Sequence, residues 1–252
     1  MYHTTGLARD QIIAVVAQIH STSQSDRTVT WPRRLGLFKS VVAALTYLRR
    51  NRVQAEIGEM FEVSQPTISR AVTGLTPALA QVLGQYVPTA QDLPAGVQYI
   101  VDGTLLPCWS WADRPQLFSG KHRTTGLNVQ VVCDLSGRVR WISDPVEGHR
   151  HDTAALALTG VLTGHDPINW IGDKGYIGNA MITPIRKPAH RSLLDWEKQF
   201  NRDINAIRYM IERTIANIKT WRILHTDYRR PLASFPTTIS AVVGLIFFTL
   251  AE

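Results

Sequence analysis

Apolar residues recur at helical spacing through most of the first ninety positions. Leu7 to Ile19 and Leu35 to Leu48 each carry the i, i+3, i+4 recurrence of an amphipathic helix, and the second closes on the cations Arg49, Arg50 and Arg52. The pattern predicts a short third helix over Gln54–Phe61 and a longer fourth over Gln65–Leu83. Tyr86–Gly96 (YVPTAQDLPAG) has two prolines, a glycine and no period, and reads as a linker. After it come short β-branched and aromatic runs, Val97–Asp102, Leu127–Cys133 and Val139–Ile142, with Asp134–Gly137 as a hairpin loop between the last two. A helix over His151–Leu158, a strand over Ile168–Ile171, a long helix from about Trp196 to Trp221 and an apolar helix over Phe235–Leu250 complete the chain. Strands followed by interleaved helix and strand predict a mixed α/β sheet with helices on its faces. The expected organisation is an all-α region over residues 1–90 and an α/β domain over residues 97–252.

Charge changes this picture more than composition does. An apolar content of 44% with 19% charged residues is ordinary for a globular chain and excludes disordered and low-complexity classes. The 27 Lys and Arg against 20 Asp and Glu leave a net +7, which points to a polyanionic partner. Residues 1–97 hold nine basic against six acidic side chains and residues 98–252 hold 18 against 14, so both halves are suited to the same anion. Cys108 and Cys133 form no CxxC pair, which sets aside zinc fingers and disulfide scaffolds and suits a reducing compartment. The N-terminus lacks a signal-type apolar segment, and the run Ile239–Leu250 is shorter than the ~20 residues that span a bilayer. A cytoplasmic chain with no membrane partner is expected.

Ile57–Arg70 (IGEMFEVSQPTISR) fits two helices joined by a tight turn. Gly58 lies where the helices cross, Val63 packs inside, and Ser64 caps the second helix with its hydroxyl. Pro66 falls in the first turn, where its missing N–H costs nothing. Ile68 points inward, leaving Gln65, Thr67, Ser69 and Arg70 outward, a set that matches base edges and phosphates in a major groove. The V-S-x-x-T-I-S-R core, within about residues 54–72, resembles the helix-turn-helix of many bacterial DNA-binding proteins. Glu62 departs from it at the turn position usually held by Gly. A capped helical hairpin of other purpose is the alternative.

Three acids are candidates for metal chemistry. Asp102 ends the apolar run YIVD and Asp173 ends WIGD, each before a Gly-containing turn, where open α/β sheets expose reactive groups. With a third carboxylate from a helix they would make a hard-oxygen cage for Mg²⁺, and two such ions can drive phosphodiester cleavage. The third candidate, Glu212, sits at the edge of the stripe Ile204, Ile207, Ile211, Ile215 and Ile218, on a flank with Arg208 and Lys219. Taken singly, each has a plainer reading: a turn-forming Asp, or an exposed Glu paired with Arg208.

Together with VDGTLLP, FSGKHRTTGLNVQVVCDLSGRVRWIS, GHRHDTAAL, IGDKGYIG and NAIRYMIERTIANIKTWRIL, these acids resemble the transposase domain of bacterial insertion sequences in the DDE superfamily, the branch related to eukaryotic Harbinger nucleases. The resemblance covers residues 98–250, and the helical part resembles the helix-turn-helix ahead of that domain. It implies a ribonuclease-H-like fold in which Asp102, Asp173 and Glu212 hold two Mg²⁺ or Mn²⁺ ions. Water activated there nicks DNA, and the freed 3′-OH attacks target DNA. The implied partners are double-stranded terminal inverted repeats and target DNA, bound by a dimer or larger synaptic complex associated with the bacterial nucleoid. The resemblance places the basic turn Lys121, His122 and Arg123 to hold DNA phosphates, with a solvated loop as the alternative; Lys174 follows Asp173 to contact the scissile phosphate, and Arg213 and Lys219 do likewise or only solubilise the Glu212 helix. Asp152, in GHRHD, is an auxiliary ligand or, the reading we prefer, the N-cap of the helix after it. A non-catalytic DNA-binding regulator derived from such an enzyme is the alternative function.

Two other motifs are set aside. His149, His151 and Asp152 lack the spacing of a hydrolase zinc site. Ser119-Gly120-Lys121 lacks the flanking Gly and Ser/Thr of a phosphate loop, so no nucleotide cofactor is expected. Trp109, Trp111, Trp141, Trp170 and Trp221 are expected in the core or at interfaces, with Trp109 and Trp111 as alternative base-stacking platforms.

Overall fold

The computed structural model describes residues 2–109 and 113–251, so Trp111 lies outside the described residues. The chain folds as two compact units, one of Met1–Val87 with Ile218–Glu252 and one of Pro88–Asn217.

In the first unit a short helix outside the predicted pattern, α1 (Tyr2–Thr5), precedes α2 (Arg9–Ser25), α3 (Gly36–Arg50), α4 (Gln54–Phe61) and α5 (Gln65–Leu83), which follow it. The buried stripe of α5, Ile68, Ala71, Val72, Leu75, Leu79 and Val82, has the spacing that faces one side of a helix inward. The long helix α8 (Phe235–Ala251) lies in this unit too. With the turn before it, α8 gives a segment over Leu232–Ala251 long and apolar enough to cross a membrane by length and composition, longer than the run read from sequence. Its Phe235, Ile239, Val242, Leu245 and Phe248 are buried within the unit, as in a core helix. Gly244 lets it approach α5, because a Cβ there would stand 2.7 Å from Leu83 Cβ.

The second unit is built on β1 (Tyr99–Pro107), β2 (Phe118–Ser119), β3 (Thr124–Asp134), β4 (Val139–Ile142), β5 (Val146–Glu147) and β6 (Trp170–Ile171). The sheet order is β2-β3-β1-β6, with β4 and β5 also on β3; β1 and β3 are antiparallel and β1 and β6 parallel. This is the expected mixed α/β sheet. Alternation along β1 sends Tyr99 and Val101 to one face, in a core with Val132, Trp141, Leu156, Trp170 and Tyr176, where α6 (Asp152–Thr159) packs. Asp102 points to the opposite face, where α7 (Asp195–Ile218) lies. The β3–β4 loop forms as predicted: Asp134 Oδ1 accepts from the Ser136 and Arg138 amides, and Gly137 takes φ +80°.

The start of α7 is fixed by Glu197, which accepts the Leu194 amide at 2.7 Å and both arms of Arg191 at 2.6 and 2.7 Å. The Arg191 hydrogen bonds, then the Leu194 amide, lower its pKa to about 2. A depressed carboxylate stabilises the fold above its ordinary value of 4.5 and loses that contribution as pH falls toward 2. The difference in melting temperature between wild type and Glu197→Gln should therefore be complete at neutral pH and close across that acid window, as thermal melts over a pH series would show.

Along α7, Ile204 and Ile211 are buried, whereas Ile207 is 37% exposed and Ile215 half-buried. The inward stripe is thus narrower than five isoleucines. Thr214 fills it instead, donating to the Gly137 carbonyl.

Candidate active site

Asp102 is the fourth of nine residues in β1, paired with Val131, and not the end of the strand. The strand runs on because Gly103, read from sequence as a turn residue, continues the ladder opposite Gln130. Ile100 pairs in parallel with Ile171, so two residues further along the neighbouring strand Asp173 comes abreast of Asp102. Asp173 leaves β6 as N-cap of the short helix Lys174–Tyr176, its carboxylate accepting the Gly175 amide at 2.7 Å.

A third carboxylate joins from α6. His151 occupies the N-cap, with no side-chain cap bond, and Asp152 is the first helical residue, which corrects the capping role expected for it. The Asp152 side chain turns to the sheet and accepts Lys121 Nζ at 2.8 Å. A Cβ on Gly103 would stand 2.5 Å from Asp152 Oδ1, and one on Gly175 would stand 2.8 Å from Asp173 Oδ1 and 3.2 Å from Asp152 Oδ2. Gly103 therefore makes room for the Asp152 carboxylate, and Gly175 for those of Asp152 and Asp173 together. Beneath them the buried Tyr176 hydroxyl donates to Gln130 Oε1 at 2.6 Å, and Gln130 Nε2 donates to Asn128. Gly103→Ala should keep the strand but displace the Asp152 carboxylate. Since displacements near 1 Å cost on the order of 10²-fold, metal-dependent cleavage by this variant should fall by that order; the added methyl also stands 2.9 Å from buried Gln130 Nε2, so a drop in melting temperature should accompany the loss.

The electrostatics are those of an over-full acidic site. Burial pushes the Asp102 pKa up to about 6; Arg208 opposes the shift while Asp173 and Asp152 add to it. Burial also works against the Lys121 ammonium, but its hydrogen bond to Asp152 and the charges of Asp152, Asp173 and Asp102 raise its pKa. Arg208 Nη2 lies 3.4 Å from Asp102 Oδ2, both side chains 14% exposed. The i, i+4 pairing of Arg208 with Glu212 is thus replaced by a contact 106 residues away in sequence. Among the described residues no three His, Cys, Asp or Glu side chains are arranged to hold an ion as they stand. Lys121 and Arg208 hold two of the carboxylates instead. The donor chemistry still fits a hard divalent cation: the carboxylates of Asp152 and Asp173 share the space beside Gly175, and Asp102 lies on the strand that pairs with β6.

Glu212 and Arg213 are exposed on α7, one turn beyond Arg208. Lys219 lies one residue past the end of α7, in the other compact unit, and not on the Glu212 helix as expected. Lys174 and His122 are exposed, as is Arg123, which takes φ +52° in the turn between β2 and β3. Trp141, Trp170 and Trp221 are buried, whereas Trp109 is 53% exposed. Sequence reasoning missed the roles of Arg208, Gly103 and Gly175. The glycine after each acid motif, in VDGT and GDKGY, was the available signal.

The helix-turn-helix has its predicted boundaries. Glu62 takes the left-handed conformation (φ +55°) usual for Gly, and a Cβ on Gly58 would stand 2.7 Å from the Val63 carbonyl. Gln65 and Arg70 are exposed, Ser69 is half-exposed, and Ile68 is buried. Two expectations change. Thr67 is buried, and Ser64, at the N-cap, bonds the Thr67 hydroxyl at 3.0 Å instead of a backbone amide. Thr67 therefore fixes the turn and leaves the outward set. Val63 is half-buried.

Residues 101–247 match the family described as DDE superfamily endonuclease, and residues 33–85 match the helix-turn-helix of DDE superfamily endonuclease. Among curated proteins, one described as the transposase for insertion sequence element IS112 of Streptomyces albus G is 28% identical over 195 residues, 77% of this chain and 73% of that one. Another, described as the transposase for insertion sequence element IS702 of Microchaete diplosiphon, is 24% identical over 98% of this chain and 93% of that one. A protein described as the nuclease HARBI1 of Mus musculus is 23% identical over 71% of this chain and 56% of its own length. No solved structure matches the chain.

Proposed function

Because the chain belongs to the DDE superfamily of endonucleases, we propose that it is a DNA transposase that nicks the ends of a mobile element and joins them to target DNA. The observation that carries this reading is the meeting of the Asp152 and Asp173 carboxylates beside Gly175, with Asp102 on the strand that pairs with β6 and within reach of both charges. The likeness to insertion-sequence transposases over most of both chains supports it. In this reading the α/β unit is ribonuclease-H-like, and Asp102 and Asp173 with Glu212 are the principal metal-binding acids, Asp152 assisting them.

DDE-type endonucleases use divalent cations, and Mg²⁺ or Mn²⁺, two per site, suits these hard oxygens. Such ions supply activation of water or a 3′-OH and neutralise charge on the phosphodiester. The chain's own residues do the rest. Arg208 beside Asp102 and Lys121 beside Asp152 offset the repulsion among the carboxylates. Lys121, with His122 and Arg123 in the same turn, then turns to backbone phosphates, and Lys174 and Arg213 do likewise beside Asp173 and Glu212. Lys219 contacts DNA outside this unit. Gln65, Ser69 and Arg70 read the terminal repeat in the major groove, and acting on two ends at once calls for at least a dimer at the nucleoid.

The test is nicking of DNA carrying the element's inverted repeats, in Mg²⁺ and in Mn²⁺. Strand-specific nicks at the repeat ends support the reading. Binding of the same DNA without cleavage in either metal assigns the chain to the regulator class instead.

A further inference from the structure

The two flanks of α5 differ in charge. On one side, α4 and its turn bring Glu56, Glu59 and Glu62, all exposed, and no Lys or Arg of their own; the cation just ahead, Arg52, is paired with Glu56 at 3.2 Å. In a helix-turn-helix the first helix ordinarily crosses the DNA backbone, and three carboxylates there would meet phosphates of like charge. On the other side the segment 27–34 (RTVTWPRR), between α2 and α3, runs directly over α5: a Cβ on Gly74 would stand 2.3 Å from the Thr30 carbonyl oxygen. Between segment and helix lies an open groove of about 640 Å³ lined by Thr30, Trp31, Gln65, Ser69, Arg70 and Thr73, and no acidic residue lines it. Arg33 and Arg34, which follow the lining residue Pro32 in the chain, are exposed and, among the described residues, in no salt bridge. Arg230 reaches the groove at Thr73 with a 2.7 Å hydrogen bond.

We propose that the strap 27–34 is a second DNA-holding element: Arg33 and Arg34 take phosphates of the duplex strand that lies along the groove beside α5, and α4 faces away from DNA. This rests on the reading of α5 as a recognition helix and adds the side from which the duplex approaches. The half-buried Trp31 forms the wall that holds the strap at its distance from Gln65 and Ser69. Gly74 is the position that makes the strap possible, since any larger residue would lift the Thr30 carbonyl off the helix.

The experiment measures binding of the full chain to a mixed-sequence duplex of about 30 bp by fluorescence anisotropy, from about 50 to 200 mM salt. Each lost phosphate contact lowers the slope of log K against log salt by about one. Arg33→Ala with Arg34→Ala should therefore reduce that slope by about two and weaken binding at the lower salt by on the order of tenfold or more. Glu59→Gln, on the flank facing away, should change affinity by less than about twofold. If Arg70→Ala weakens binding while the strap variant leaves slope and affinity unchanged, the strap proposal is wrong and the recognition-helix reading stands. Tightening by Glu59→Gln of tenfold or more would place α4 on the DNA and also overturn it. Failure of the wild type to bind the duplex in a salt-dependent way would overturn both.

Discussion

Asp102→Asn and Asp173→Asn should each abolish metal-dependent nicking while leaving duplex affinity within a factor of about two. Loss of one ligand carboxylate removes several kcal/mol of charge stabilisation from the transition state, on the order of 10³-fold in rate at about 1.36 kcal/mol per decade. Folding should survive. The raised pKa of Asp102 means that its ionised form works against the fold at neutral pH, so an uncharged isostere relieves a cost while leaving the shape of β1 intact. Melting temperatures equal to or above wild type, with cleavage lost and anisotropy retained, are the expected set. Glu212→Gln should behave likewise if Glu212 completes the acid set. A Glu212→Gln protein that still cuts would leave Asp102, Asp173 and Asp152 as the working trio.

The largest effect on stability is expected at Trp170. Its ring is fully buried, tilted against Tyr99 with centroids 5.1 Å apart and edge-on to His165 at 5.6 Å. Truncation of such a residue costs about 3–5 kcal/mol, which for a chain of this size lowers the melting temperature by roughly 10 °C. Because β6 is two residues long, Trp170→Ala also unseats Asp173, three positions on, so activity should fall before the protein unfolds. Trp109→Ala, at a 53% exposed site, is the control and should shift stability by less than about 0.5 kcal/mol. Calorimetry on the two variants separates a core tryptophan from a surface one.

What was legible in the sequence was local. The bounds of α4 and α5 follow from an apolar period and from Pro66 in a first turn, and the β3–β4 loop from Asp134 and Gly137, all decided within a few residues. What was not legible depended on partners distant in the chain. Gly103 looks like a strand terminator, yet it is there to admit a carboxylate from Asp152, 49 positions on. Arg208 is one turn from Glu212 and pairs instead with Asp102, because a buried carboxylate gains more from a cation than an exposed one does. The all-round apolar face of α8 announces burial without saying against what, and its site in the helical unit is set by Gly244 against Leu83. Thr67 reads as an outward hydroxyl until Ser64 is seen to bond it.

Central to this account is the assignment of Asp102 and Asp173 as ligands of a divalent cation, and it is tested most directly by equilibrium binding of Mn²⁺ to the full chain, followed as loss of the free-ion paramagnetic resonance signal. Wild type should bind Mn²⁺ in competition with Mg²⁺, and Asp102→Asn and Asp173→Asn should each bind at least tenfold more weakly, a difference of about 1.4 kcal/mol. Equal Mn²⁺ affinity in the wild type and both variants would contradict the assignment.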